Sequence, residues 1–189
     1  MHRFVLTAAA LVFATAASAN DYAPAMERFL KSNIRAWAEN PVLIEAINAQ
    51  NAKNANIGQS DIDAMDKAWR AEVGQAATPT IDPVLHNAAA DFLRQQVAAS
   101  GGMITEVFAM DSHGLNVAAS SVTSDMWQGD EAKFTESYGY GPDAVHLGDV
   151  EFDESTQTYQ SQISIPLIDP ASGALVGALT VGVNADALM

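Results

Sequence analysis

The sequence predicts an α+β fold, helices first and an antiparallel sheet second, on three observations. Up to Gly101-Gly102 the apolar residues recur at spacings of three and four, the period of helices that bury one face. Beyond those glycines they come in short runs, and the last two runs alternate with polar residues as half-buried strands do. Most of these runs are joined by a few Asp, Ser, Pro and Gly residues, links too short for anything but antiparallel hairpins.

Residues 1–19 carry His2 and Arg3, an apolar run from Phe4 to Ala17, and the small-residue triplet Ala17-Ser18-Ala19. That order is a secretory signal cut before Asn20, and the apolar run is too short for a spanning helix of about 20 residues. Residues 20–189 are then a single domain, with a helical part over 20–102 and a sheet part over 103–189. No later stretch is long and apolar enough to span a bilayer, and the product is expected in the periplasm.

In the helical part, Tyr22, Met26, Phe29, Leu30, Ile34 and Trp37 share one face of a long first helix. Asn40-Pro41 ends it, because the residue before proline is pushed out of the helical region. A second helix fits Val42 to about Ala55, with Leu43, Ile44 and Ile47 apolar and a polar end over Gln50-Asn51-Ala52-Lys53-Asn54. Ser60-Asp61-Ile62-Asp63 reads as a capping box opening a third helix on Ile62, Met65 and Trp69. Asp82-Pro83 reads as an N-cap and first-turn proline of a fourth, carried by Leu85, Ala89, Phe92 and Val97 to the glycine pair. Trp37 and Trp69 fall at helical spacing and are read as core; His86 is read as a surface residue.

The sheet part offers five strands: Ile104–Met110, Asn116–Ser121, Val145–Phe152, Tyr159–Ile168 and Leu175–Val183. Asp111-Ser112-His113-Gly114 turns the first hairpin, Asp153-Glu154-Ser155-Thr156 joins the third strand to the fourth, and Asp169-Pro170-Ala171-Ser172-Gly173 joins the fourth to the fifth. Only the connection over 122–144 is long, and long connections inside compact domains usually carry function.

Charge narrows the function. The chain has 9 Lys and Arg against 23 Asp and Glu, a net −14, which argues against nucleic acid and anionic membrane surfaces as partners. Loss of Arg3 with the signal takes this −14 to −15. Lys133 is the single base after residue 94, among 13 acids. There is no Cys, hence no disulfide, thiol nucleophile or Cys-ligated zinc. Ser120 and Ser121 lack a nucleophile elbow, and His113 and His146 lack metal-ligand spacing, so the chain is expected to be neither an enzyme nor the holder of a cofactor. Asp149, Glu151, Asp153 and Glu154 lack a calcium-loop pattern and read as a solvated strand end.

The hairpin Asp111-Ser112-His113-Gly114 with Val117-Ala118-Ala119-Ser120, the segment around Trp127, and the close from Ile168-Asp169-Pro170 through Gly173 to Val176-Gly177-Ala178-Leu179-Thr180-Val181-Gly182-Val183 together resemble the PDC or Cache family of extracytoplasmic sensor domains, whose fold is PAS-like. The resemblance spans the whole of residues 20–189. It implies a five-stranded antiparallel sheet with the long helix packed on one side and a small-molecule pocket on the other, beneath the long connection. It departs in two places: amino-acid-binding members tend to carry Arg two places before the Trp and Tyr just after it, where this chain has Asp125 and Gln128. Most relatives also continue into a membrane helix, whereas this chain ends at Met189, so a free-standing form is expected that passes its signal to a membrane receptor or an exported protein.

The expected ligand site is Trp127, Asp125, Gln128, Asp130, Lys133, Tyr138, Tyr140 and Asp169. Trp127 admits two readings, an anchor packing the connection onto the sheet and a wall of the pocket. Tyr138 and Tyr140 offer ring faces and hydroxyls to a small amphipathic ligand or sit in a surface turn. With Lys133 as the lone base, burial of a ligand anion costs several kcal/mol, so a polar neutral or amine-bearing ligand is favoured. The alternative is a protein–protein interaction module with no bound ligand.

Overall fold

Asn40 and Pro41 set the first corner of the chain. In the structure, a computed structural model that describes residues 21–153 and 158–189, Asn40 is extended and its Oδ1 accepts from Val42 N at 3.0 Å, with Pro41 at the first helical position. Before it run α1 (Ala23–Phe29) and α2 (Arg35–Ala38), joined without a break by a π turn over Leu30–Ile34. The wider turn puts the side chains of α2 out of phase with those of α1. Met26, Phe29, Leu30, Ile34 and Ala38 are buried, while Trp37 is half-buried with its ring edge-on to Phe92 at 6.2 Å. The expected signal over 1–19 lies outside the described residues.

After the corner come α3 (Pro41–Lys53) and α4 (Gln59–Glu72). The expected capping box at Ser60 is displaced: α4 starts from Gly58, whose N–H donates to Asp61 Oδ2 at 3.2 Å. The fourth expected helix is two, α5 (Asp82–Leu85) and α6 (Ala88–Ala99). Asp82 is inside the first turn of α5 rather than its cap. The cap that matters is Asn87, which is extended and accepts from Ala90 N at 2.8 Å, while its amide donates to the carbonyls of Pro83, Val84 and Val117.

The sheet contains β1 (Ile104–Met110), β2 (Asn116–Ala119), β3 (His146–Leu147), β4 (Glu151–Asp153), β5 (Thr158–Ile168) and β6 (Leu175–Asn184). Their order is β2-β1-β6-β5-β3, with β4 also on β5, and every pairing is antiparallel. Among the described residues the sheet therefore has six strands instead of five. The expected strand Val145–Phe152 is two short pieces, separated where Gly148 N donates to Gln162 O and Gly148 O accepts from Ser161 Oγ. The connection between β4 and β5 lies largely outside the described residues.

Side chains on the two faces of β1, β5 and β6 form separate cores. Val107, Ala109, Ile163, Ile165, Leu167, Leu179 and Val181 pack under α1, α2, α3 and α6. Phe108, Met110 and Ala178 pack on the other face with Ile62 and Trp69 of α4, Val84 of α5, and Leu115, Met126 and Phe134. A fully buried Leu or Ile contributes about 1.5–3 kcal/mol, so both layers hold the sheet in place. The polar end of α3 is tied to the β1–β2 turn. Asp111, buried, accepts from His113 N, Leu115 N, Gln50 Nε2 and Asn54 Nδ2 at 2.9–3.0 Å.

Candidate functional site

The second face of the sheet is apolar beneath α4 and polar beyond it. In register across β1, β6 and β5 lie Glu106, Gly182 and Gln162. Gly182 has no side chain, so Gln162 Nε2 reaches over it to Glu106 Oε1 at 3.1 Å. A Cβ at 182 would stand 2.6 Å from Glu106 Cγ and 2.8 Å from Thr105 Oγ1. In the next row Ser164 Oγ and Thr180 Oγ1 are hydrogen-bonded at 2.9 Å.

Above this floor opens a cleft of about 990 Å³, walled by α7 (Ala132–Thr135) on one side and by β3 and β4 on the other. Lys133 and Glu136 project from the α7 side, His146 and Phe152 from the strands, and Asp149 and Glu151 stand at the rim. The two walls are linked, with His146 Nδ1 3.0 Å from Glu136 Oε2. Lys133 Nζ lies 2.9 Å from Glu131 Oε2, donates to Gln128 Oε1 at 3.1 Å and sits 5.5 Å above the centre of the Phe108 ring, where the ring face attracts a cation.

Of the eight residues expected to form the site, Lys133 lines the cleft. Gln128, buried, bridges Lys133 to Asp125. The Asp125 carboxylate also faces Arg70 Nη2 at 3.3 Å, and its backbone carbonyl accepts from Asn116 Nδ2 at 3.0 Å. Arg70 is held firmly protonated, its pKa raised first by its bond to Asp66 and then by the neighbouring charges of Asp66, Asp125 and Asp130. Asp130 itself is exposed.

Trp127 donates from Nε1 to His113 O at 2.8 Å, and its backbone pairs with Leu115. The ring thus pins the long connection to the β1–β2 turn. Tyr138 stacks on Phe134 at 4.9 Å, and burial, followed by the charge of Asp111, raises its phenol pKa. Tyr140 is 76% exposed. Asp169 closes the β5–β6 turn, accepting from Ala171 N at 2.8 Å, Ser172 Oγ at 3.0 Å and Asn48 Nδ2 at 3.3 Å.

Sequence reasoning passed over Glu106, Gln162, Gly182, Glu136 and His146 as site residues. One signal was present: Glu106 is the only Asp, Glu, Lys, Arg or His in β1, β2, β5 and β6. The others become a site only through strand register and through the fold of the long connection that carries Glu136.

No protein-family model and no curated protein sequence matches the chain. Solved structures do. The sensor domain of the V. cholerae histidine kinase DctB aligns at TM-score 0.45 and 14% identity, over 89% of this chain and 57% of that one. The sensory domain of the Campylobacter jejuni chemoreceptor Tlp3 with isoleucine bound gives 0.41 and 12%, over 88% and 64%. The ligand-binding domain of the Pseudomonas aeruginosa amino acid chemoreceptor PctC in complex with GABA gives 0.43 and 14%, over 78% and 59%. This chain thus spans about three fifths of the length of those domains. The three are a sensor domain of a histidine kinase and sensory or ligand-binding domains of chemoreceptors, and the likeness is one of outline.

Proposed function

We propose that residues 20–189 form one exported, periplasmic sensor module that binds a small molecule in the cleft beneath α7 and passes its state to a membrane receptor or another exported protein. The observation that carries the reading is the cleft with its polar floor: about 990 Å³ of space matches the size of small-molecule sites, and Gly182 leaves room for the Glu106–Gln162 pair to lie across the middle of that floor. The ionisable groups lining it are Glu106, Glu131, Glu136, Asp149 and Glu151 against Lys133 and His146. Lys133 and His146 already face Glu131 and Glu136. Among the described residues a ligand carboxylate there lacks an uncommitted cation, and leaving it unpaired costs several kcal/mol, so a polar neutral or amine-bearing ligand fits best. Asp125 and Gln128 hold Lys133 in the wall; Trp127, Asp130, Tyr138 and Tyr140 belong to the connection that carries α7, while Asp169 lies in the β5–β6 turn, at the other end of β5 from Gln160, Ser161 and Gln162 of the cleft.

Ala132 is exposed and lines the cleft, so Ala132→Trp sets an indole into it with little effect on the core. Calorimetry of the wild type against amines, amino acids, sugars and carboxylates should find one class that binds, with binding abolished in Ala132→Trp at unchanged thermal stability. Binding by no class, or binding that Ala132→Trp leaves intact, overturns the proposal.

A further inference from the structure

A half-buried carboxylate in a strand paired on both sides needs a donor, because burial strips part of its hydration. Glu106 is such a group: β1 pairs with β2 over Phe108–Met110 and with β6 along its length, Glu106 itself stands opposite Gly182, and the residue faces the cleft. Among the described residues its carboxylate takes one hydrogen bond, from the neutral amide of Gln162, and no Lys, Arg or His stands within 4.0 Å of it. Lys133 lines the same cleft but is engaged by Glu131 and Gln128. The pairing register shifts between Ile104 and Glu106, and Thr105 Oγ1 lies beside Glu106 over Gly182, buried and without a hydrogen-bond partner among the described residues. An acceptor-only carboxylate and an unsatisfied hydroxyl thus meet over a glycine.

We infer that Glu106 is the specificity-determining residue of the cleft, its carboxylate, held by Gln162 across Gly182, receiving the N–H donors of a protonated primary amine. The inference rests on the cleft being the ligand site. A primary ammonium brings one positive charge and three donors. A quaternary ammonium brings the charge without donors, an alcohol brings a donor without charge, and a carboxylate repels Glu106.

The test uses four probes on one carbon chain: butylamine, butyltrimethylammonium, butanol and butyrate. Each is titrated calorimetrically into the wild type, Glu106→Gln and Ala132→Trp. Glu106→Gln keeps the shape and the Gln162 contact while removing the charge. Butylamine should bind the wild type tightest of the four and lose roughly 10- to 100-fold in Glu106→Gln, the scale of one charge-assisted bond. Butyltrimethylammonium should bind weakly to both. Equal butylamine affinity in wild type and Glu106→Gln, with loss in Ala132→Trp, overturns the role of Glu106 and leaves the cleft as the site. Tightest binding of butanol or butyrate, lost in Ala132→Trp, does the same. No binding of any probe to the wild type overturns this inference, and failure of the wider panel as well overturns the cleft. A Glu106→Gln variant that fails to fold is replaced by Gly182→Ala, whose methyl displaces the Glu106 side chain and should give the same loss.

Discussion

At the scale of single residues, two glycines decide how Trp127 is used. Gly114 has φ +79°, and a Cβ on it would lie 2.5 Å from Gly129 Cα; a Cβ on Gly129 would lie 2.3 Å from Trp127 Nε1 and 2.7 Å from His113 O. The hairpin turn and the long connection therefore touch backbone to backbone, and the indole N–H closes the joint. Gly129→Ala should break the Trp127–His113 bond and destabilise the protein by about 1–3 kcal/mol, the usual penalty of overpacking. Urea unfolding followed by tryptophan fluorescence checks this, with a red-shifted native spectrum as the accompanying sign. The sequence placed Trp127 in the right segment. Its half-buried joint could not be read there, because the partner atoms are a carbonyl fourteen residues away and a glycine with no side chain to signal contact.

Helix and strand boundaries show where local rules suffice. Asn40-Pro41 was legible because the proline restriction acts on its own neighbour. The break between α5 and α6 was not, since Leu85 and Ala89 continue the helical spacing through it; Asn87 stops the helix by capping α6 and bonding across to β2. Asn87→Ala removes that cap and leaves the Val117 carbonyl without its donor. The expected loss is about 1–2 kcal/mol, measurable as a lower urea midpoint, with α6 amides exchanging faster than those of β6. Likewise β3 and β4 read as one strand by their apolar and acidic residues. Their separation depends on Gly148 bonding to Gln162 and Ser161 of β5, a long-range pairing that propensity does not contain.

Across the whole molecule the acid side of stability follows from carboxylates held by neutral donors. Asp169 is lowered below its ordinary 3.8, first by the Ala171 N–H, then by the Ser172 hydroxyl and with help from Asn48. For Glu72 burial is the largest single influence and pushes upward, but the hydroxyl and N–H of Thr80 and the N–H of Ile81 together hold it below 4.5. A carboxyl lowered in the folded state binds fewer protons there than in the unfolded chain. Its contribution is present above the unfolded pKa and is lost as pH falls through the folded one. The urea midpoint should therefore drop as pH falls below about 4, and the double variant Asp169→Asn, Glu72→Gln should show a shallower drop. Tyr138 acts at the other end: raised above 10.0 by burial and Asp111, it favours the folded state below its unfolded pKa and ceases to do so as pH climbs through the folded value. The sequence by itself determined the α+β class, the helical first half, the hairpins and the acidic character, because periodicity, proline, glycine and charge act within a few residues. Tertiary structure alone decided that the polar floor lies on Glu106, Gly182 and Gln162, that Lys133 pairs with Glu131 in the wall of the same cleft, and that Asp125 and Gln128 brace that wall. Those groups are brought together by strand register and by a long connection folding back over the sheet, and neither leaves a local mark in the chain.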